Sequence, residues 1–205
     1  MASMNSPQIR SIALFCGSST GHDPKYAALA AELGRQCAGR GVTLYYGGAK
    51  IGLMGAAAET ALAGGGRVVG VIPDFFSGDA VVAQNITEQI WVKSMSERKQ
   101  TLERLADAFV ILPGSFGTMD ELFEVLTDAQ LGMHRKPIVV LNAFGYYDPL
   151  IKQLEMFEQE GFLRAFHSGL LLVATNVEEV FTAVEGFSYS NDPAWLEKYM
   201  RLNKR

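Results

Sequence analysis

Short apolar runs alternate along the chain with segments whose apolar residues recur every three or four positions. The runs are rich in β-branched residues and end at glycine, proline or polar residues, which is typical of strands, whereas the spaced pattern is typical of helices. Seven runs are predicted to be strands: 9–17, 42–48, 67–73, 86–92, 108–114, 136–142 and 169–174. Strands that are apolar throughout and separated by helices indicate a parallel sheet covered on both faces. We therefore expect an α/β fold: a single Rossmann-like, doubly wound domain with a mostly parallel sheet of about seven strands flanked by helices.

Neither a repeat nor a low-complexity linker divides the 205 residues. The predicted organisation is a Rossmann-like nucleotide-binding catalytic domain over 9–187, preceded by a flexible N-terminus at 1–8 and followed by a tail at 188–205. A short helix is expected in the tail, because Asn191 or Asp192 could cap it and a proline follows at once. Trp195 and Tyr199 lie four residues apart there and could cover either the core or a partner subunit.

Composition narrows the class of protein. With 48% hydrophobic and 20% charged residues the chain is ordinary for a globular protein. A net charge of −4 provides no basic surface for nucleic acid. No apolar run approaches the roughly 20 residues that span a bilayer, and the polar N-terminus does not resemble a signal peptide. We expect a cytoplasmic protein without a nucleic-acid or membrane partner.

The two cysteines and three histidines do not indicate a redox or metal site. Cys16 falls in a predicted strand and Cys37 in a predicted helix, and buried free thiols are favoured over a disulfide or a reactive pair. The histidines stand far apart, at positions 22, 134 and 167, without the spacing of metal ligands. No metal site is predicted.

Three predicted strands end in glycine-rich turns that lead into helices, at 15–21, 45–55 and 112–118. Ligands of open α/β sheets bind beyond the carboxyl ends of the strands. Glycines allow close approach of the backbone, and helix N-termini direct unpaired N–H groups at anions. The turns therefore indicate a nucleotide or another phosphorylated ligand, although any one of them could serve only to make a tight turn. Neither the dinucleotide fingerprint nor the P-loop motif is present.

An arginine falls in the apolar stripe of the next predicted helix. Ser94 and Glu97 form a capping box that starts this helix at Met95. Helical spacing places four residues on one inward face: Met95, Arg98, Leu102 and Leu105. A guanidinium there is costly without an anion. Arg98 is expected to clamp an anion in the crevice, and Lys99 is expected nearer solvent. Alternatively, Arg98 extends to solvent or pairs with a structural carboxylate.

Two acids follow the third glycine-rich turn. Thr118 and Glu121 match a second capping box, so Glu121 could merely accept from a backbone N–H. Helical periodicity places Glu121 at the border of the buried face and Asp120 nearly opposite. Glu121 is therefore the acid expected to reach the crevice, while Asp120 is expected to be a solvated helix-dipole residue. Paired with Arg98, Glu121 could stabilise an oxocarbenium-like transition state and orient water, as glycosidic hydrolysis requires.

Several motifs resemble those of the LONELY GUY proteins, long labelled lysine decarboxylase-like: YYGGAKIGLMG, SMSERK, LPGSFGTMDE, AQLGMHRKPIVVLN and GYYDPLI. The resemblance covers about residues 9–185. Members of this family hydrolyse cytokinin riboside 5′-monophosphates to the free base and ribose 5-phosphate, and several also hydrolyse AMP. The resemblance implies the same reaction here, with a nucleoside 5′-monophosphate as the small-molecule partner, a homodimer, and neither a metal nor an organic cofactor.

The resemblance also implies which residues form the site. Its catalytic pair falls on Arg98 and Glu121. Backbone N–H groups from Gly114 to Thr118 are expected to cradle the 5′-phosphate while Glu121 faces the ribose. The expected substrate-binding residues are Ser19, Met95, Arg98, Lys99, Gly114, Ser115, Phe116, Gly117, Thr118, Glu121 and Thr127.

The chain departs from the family motifs at four places. Ser115 replaces the second glycine of the third turn and requires a negative φ there. Ala49 replaces a glycine of the second turn, and Ser96 replaces the histidine before Arg98. Ala80, beside Asp79, aligns with a glutamate that contacts substrate in the family. These changes bear on substrate preference more than on the reaction.

Two other functions fit the same fold. One is a non-catalytic carrier of a nucleotide or of molybdenum cofactor, as related proteins are; a carrier would not need the arginine–glutamate pair. The other is a pyridoxal-phosphate decarboxylase, which needs a Schiff-base lysine and a partner for the pyridinium nitrogen. Lys50, Lys99 and Lys136 are present, but no surrounding pattern supports any of them.

Overall fold

A computed structural model describes residues 9–189 as one sheet with helices on both faces. The strands are β1 Ser11–Phe15, β2 Thr43–Tyr46, β3 Val68–Pro73, β4 Glu88–Val92, β5 Ala108–Ile111, β6 Ile138–Leu141 and β7 Leu171–Ala174. The α-helices are α1 Lys25–Gly39, α2 Gly52–Ala63, α3 Met95–Leu105, α4 Phe116–Gln130, α5 Asp148–Gln159, α6 Ala165–Ser168 and α7 Val177–Glu185. The N-terminus predicted at 1–8 and the tail helix predicted near Trp195 lie outside the described residues.

The seven strands pair in the order β4-β3-β2-β1-β5-β6-β7, and every pairing is parallel. The predicted fold class is confirmed, and the sheet is parallel throughout this part of the chain. From β1 the chain builds outward to β4 and then returns to place β5 on the other side of β1. The strand order therefore reverses between β1 and β5, which is where open α/β sheets form their ligand crevice.

Two apolar layers cover the sheet. On one face α1, α2 and α7 pack on side chains such as Leu44 and Tyr46. On the other face α3 and α4 pack on side chains such as Phe109 and Ile111. Both cysteines are free and buried, as predicted. No helix within residues 9–189 is long and apolar enough to cross a membrane.

The start of α3 follows the predicted capping box. The Ser94 hydroxyl accepts from the Glu97 N–H at 3.1 Å, and the Glu97 carboxylate accepts from the Lys93 N–H at 2.8 Å. Arg98 and Leu102 are buried, as the inward stripe predicts, but Met95 is exposed. Met95 is the first residue of a helix that begins at the sheet edge, so its side chain projects past the core.

The second predicted capping box is wrong. The helix α4 begins at Phe116, with Ser115 as the N-cap residue and no side-chain cap hydrogen bond. The glycine-rich turn ends at Ser115, so Thr118 lies inside the first turn of the helix α4 and Glu121 in the second. Ser115 has φ −119°, the negative value that its side chain requires. The Glu121 carboxylate is therefore not used in capping the helix.

Candidate active site

The three glycine-rich turns meet at the carboxyl edge of the sheet. The Gly17 N–H, after β1, donates to the Pro113 carbonyl after β5 at 2.9 Å. The Gly17 carbonyl accepts from the Leu53 N–H, in the first turn of α2, at 3.1 Å. The turn after β1 is thus bonded to both of the others. Together they form a crevice at the point where the strand order reverses.

Arg98 enters this crevice from α3 and is only 8% exposed. Its Nη1 lies 3.1 Å from Glu121 Oε1, and its Nε donates to the Val71 carbonyl at 3.3 Å. Its Nη2 lies against Gly47 at the end of β2, where an added Cβ would stand 2.0 Å away. The Arg98 side chain therefore does not extend to solvent, which excludes one of the two alternatives to anion binding. The carboxylate that pairs with Arg98 is Glu121 itself.

Glu121 is 5% exposed and faces the crevice from the second turn of α4. Burial raises the pKa of its carboxyl to about 7, although the Arg98 guanidinium opposes the shift. Desolvation is the largest effect; the Asp120 and Glu124 carboxylates add to it, and the Lys99 ammonium opposes it together with Arg98. The carboxyl therefore changes its charge near neutral pH, which suits a group that stabilises developing positive charge or accepts a proton.

The N-terminus of α4 is open beside this pair. Gly114 packs so tightly that an added Cβ would stand 2.0 Å from Thr118 Oγ1 and 3.0 Å from the Gly17 nitrogen. Within residues 9–189, the N–H groups of positions 115–118 have no protein acceptor; the first helical hydrogen bond runs from Met119 to the Ser115 carbonyl. Unpaired N–H groups at a helix start bind anions. Ser115, Phe116 and Gly117 are exposed, so an anion could reach them.

Lys99 lies on the outer seam between α3 and α4. Its Nζ is 2.9 Å from Asp120 Oδ2 and also contacts the Glu124 carboxylate. The hydrogen bond to Glu124 raises the pKa of Lys99. Asp120 is exposed, as predicted, but is paired rather than merely solvated. Lys99 thus ties the helices that carry Arg98 and Glu121.

Three further predicted contact residues, Ser19, Met95 and Thr127, are not part of the pair or of the turn at 114–118. Ser19 is exposed in the first turn, where its hydroxyl accepts from the Gly21 N–H at 3.3 Å. Met95 is exposed at the start of α3. Thr127 is six residues beyond Glu121, about 9 Å along the helix, and lines a groove between α4 and α5. The structure therefore brings together Arg98, Glu121 and the turn at 114–118, and leaves Thr127 apart.

Comparison with known proteins identifies the family. A family model described as "Possible lysine decarboxylase" matches residues 54–184. The cytokinin riboside 5′-monophosphate phosphoribohydrolase of Rhodococcoides fascians is 42% identical over 179 residues, which cover 87% of this chain and 90% of that protein. The cytokinin riboside 5′-monophosphate phosphoribohydrolase LOG of Oryza sativa subsp. japonica is 39% identical over 180 residues, 88% of this chain and 74% of that one. The chain belongs to the LONELY GUY family.

Solved structures of other proteins share the fold of this LONELY GUY chain. The molybdenum cofactor carrier protein of Chlamydomonas reinhardtii superimposes with a TM-score of 0.64 over 86% of this chain and 96% of its own. Its identity is 23%, so the match shows a shared fold and not a shared ligand.

Nothing in the described lysine environments singles out a Schiff-base residue. Lys99 is held by two carboxylates, and the Lys136 amine donates to the Glu103 carbonyl. Within residues 9–189, no group of three histidine, cysteine or acidic side chains is placed to hold a metal ion.

Three contacts to the candidate site were not predicted from sequence patterns, and they come from β3 and from the loops after β2 and β6. Gly47 leaves the space that the Arg98 guanidinium fills, and the Val71 carbonyl fixes its Nε. Tyr146, after β6, donates from its hydroxyl to the Gly114 carbonyl at 2.7 Å. The motifs YYGG and GYYDPL contain Gly47 and Tyr146, but only the fold shows what the two residues touch.

Proposed function

We propose that the protein hydrolyses the N-glycosidic bond of cytokinin riboside 5′-monophosphates, and of AMP, to the free base and ribose 5-phosphate. The observation that carries the proposal is the buried Arg98–Glu121 pair beside an open helix N-terminus. The relatives that share 39–42% identity with the chain are named for this reaction. A carrier of the same fold has no need for an acid whose pKa lies near 7.

In the proposed reaction the turn at 114–118 binds the 5′-phosphate through backbone N–H groups. The ribose then extends toward Glu121, whose carboxylate stabilises the positive charge that develops at C1′ and orients a water molecule. The C1′–N9 bond breaks, and its electron pair leaves with the base. The water oxygen bonds to C1′; one water hydrogen stays on that oxygen and the other ends on the base. Arg98 holds Glu121 in place and favours its ionised form.

Base release from isopentenyladenosine 5′-monophosphate, followed by chromatography, tests this function. We expect the wild type to release base and the variants Arg98→Ala and Glu121→Ala to lose the activity. Asp120→Asn is the matched control and should keep the activity, because it removes an exposed carboxylate from the same helix while Lys99 keeps its contact with Glu124. Wild-type protein that binds the nucleotide but releases no base would contradict the proposal and favour the carrier.

The proposal includes a homodimer. Apolar side chains of α4, α5 and β7 line a groove of about 660 Å³, and Phe162 at its edge is 85% exposed. A second copy of the chain would remove this surface from water, and the family resemblance implies a dimer. Light scattering after size exclusion should give the mass of a dimer for the wild type. It should give the mass of a monomer for Phe162→Asp, whereas a monomeric wild type would contradict the proposal.

We also propose a cytoplasmic location and no nucleic-acid partner. The buried free thiols of Cys16 and Cys37 fit a reducing compartment. The net charge of −4 offers no attraction to phosphate backbones. Subcellular fractionation and a nucleic-acid gel-shift assay would test the two statements separately.

A further inference from the structure

Two adjacent tyrosines after β6 reach the carbonyls on either side of Pro113. The Tyr147 hydroxyl donates to the Leu112 carbonyl at 2.6 Å, and the Tyr146 hydroxyl donates to the Gly114 carbonyl at 2.7 Å. Each pair is more than thirty residues apart in sequence. The glycine-rich turn is therefore bonded from outside its own strand and helix.

We propose that Tyr146 is a positioning residue that orients the Gly114–Ser115 peptide of the anion-binding turn. A peptide unit is planar and trans, so its C=O and N–H point in opposite directions. With the Gly114 carbonyl held by Tyr146, the Ser115 N–H points to the other side of the turn. That N–H has no acceptor within the described residues and belongs to the open start of α4. The proposal rests on the proposed function, in which this turn binds the 5′-phosphate.

A strained turn holds the two tyrosines in place. Phe144 has φ 65° and Gly145 has φ 72°, so two consecutive residues are left-handed. This conformation is rare for a bulky residue and persists only where surrounding contacts fix it. The Asn142 side chain supplies such contacts: Oδ1 accepts from the Tyr147 N–H at 2.7 Å, and Nδ2 donates to Asp148 Oδ1 at 2.8 Å.

Aromatic contacts fix the ring of Tyr146 itself. It meets Tyr26 edge-on with ring centroids 5.7 Å apart, and Tyr147 edge-on at 4.9 Å. These contacts leave the ring 40% exposed at the crevice edge. The hydroxyl can therefore be removed without opening a buried cavity, and Tyr146→Phe keeps the ring in its packing. The side chain acts through Gly114 rather than by touching the reacting atoms.

The test is the full-length Tyr146→Phe variant assayed with isopentenyladenosine 5′-monophosphate and with the unphosphorylated riboside. One hydrogen bond contributes about 0.5–1.5 kcal/mol, so we expect KM for the monophosphate to rise about 2- to 12-fold. Because the loss concerns ground-state binding of the phosphate, kcat should stay unchanged. The affinity for the riboside, measured by calorimetry, should also stay unchanged. A merely structural role would weaken the binding of both compounds equally or lower kcat, which would overturn the proposal.

Tyr26→Phe is the matched control. It removes a hydroxyl from the same aromatic cluster that makes no hydrogen bond within residues 9–189, so KM should equal that of the wild type. Calorimetric binding of ribose 5-phosphate separates this proposal from the proposed function. A wild type that binds ribose 5-phosphate without cleaving nucleotides would refute the hydrolase but leave Tyr146→Phe expected to bind about 2- to 12-fold more weakly. Equal affinity of Tyr146→Phe and wild type would overturn the role of Tyr146.

Discussion

Replacing Gly47 by alanine should displace the Arg98 guanidinium while both residues of the proposed catalytic pair keep their identity. The new Cβ would stand 2.0 Å from Nη2 and 3.1 Å from Cζ of Arg98. Carbon and nitrogen atoms in ordinary contact lie roughly 3.5 Å apart, so the guanidinium has to move by more than about 1 Å. Such a movement would break the ion pair between Arg98 Nη1 and Glu121 Oε1, which are 3.1 Å apart.

The expected magnitude follows from this displacement. A misplacement of about 1 Å in a site group can cost about 100-fold in rate. We therefore expect kcat/KM of Gly47→Ala to fall about 100-fold, which corresponds to about 2.7 kcal/mol. The free energy of unfolding should change less than the activity, because the displaced atoms are the end of a flexible side chain.

Base release from isopentenyladenosine 5′-monophosphate measures the effect. Gly39→Ala is the control: Gly39 ends α1 with no atom within 4 Å of an added Cβ, so activity should not change. In an Arg98→Ala background, Gly47→Ala should not lower the free energy of unfolding further, since the group that the new Cβ displaces is gone. Full activity in Gly47→Ala, or a further loss of stability in the double variant, would refute the reasoning.

Three further outcomes are expected. Glu121→Gln should gain stability relative to the wild type between pH 5 and pH 7. The pKa of the carboxyl is about 7 in the folded protein and 4.5 in the unfolded one, so the wild type loses about 2 kcal/mol of stability as the pH rises through that window. Urea unfolding at both pH values checks this, and a constant difference would contradict it. Base release should rise as pH passes about 7, where Glu121 ionises, and a pH–rate profile without that step would count against a carboxylate. Tyr147→Phe should lower the free energy of unfolding by about 1–3 kcal/mol, because the buried Leu112 carbonyl loses its donor; unchanged stability in urea would argue against it.

Features set by local periodicity could be predicted from the sequence. The strands β1, β3, β5 and β6 are buried along their whole length and carry few polar residues, so their apolar runs revealed them. Each of the seven predicted runs contains a strand of the sheet in residues 9–189. The inward position of Arg98 followed from helical spacing, because Leu102 lies one turn further on the same face and is buried. The prediction did not extend to Met95, since a helix periodicity does not show where the sheet beneath it ends.

Contacts between distant segments could not be predicted in the same way. The Ser-x-x-Glu pattern predicted correctly the start of α3, but the similar pattern at Thr118 misplaced the start of α4. There the tight packing of Gly114 against Thr118 and Gly17 decides where the helix begins. The hydroxyl of Tyr146 on Gly114 joins two separate turns, and no local pattern records that contact. The pairing of Arg98 with Glu121 was expected, because both residues fall on the inward side of helices that open at the ligand end of the sheet, and their side chains meet at 3.1 Å.

The central claim is that the open start of α4 binds a 5′-phosphate while the buried Arg98–Glu121 pair serves the glycosidic bond. The most direct test compares kcat/KM of the wild type for isopentenyladenosine 5′-monophosphate and for its unphosphorylated riboside, with Glu121→Ala beside it. The account predicts base release that requires the 5′-phosphate and disappears in Glu121→Ala. Equal hydrolysis of the two substrates, or undiminished release by Glu121→Ala, would contradict it.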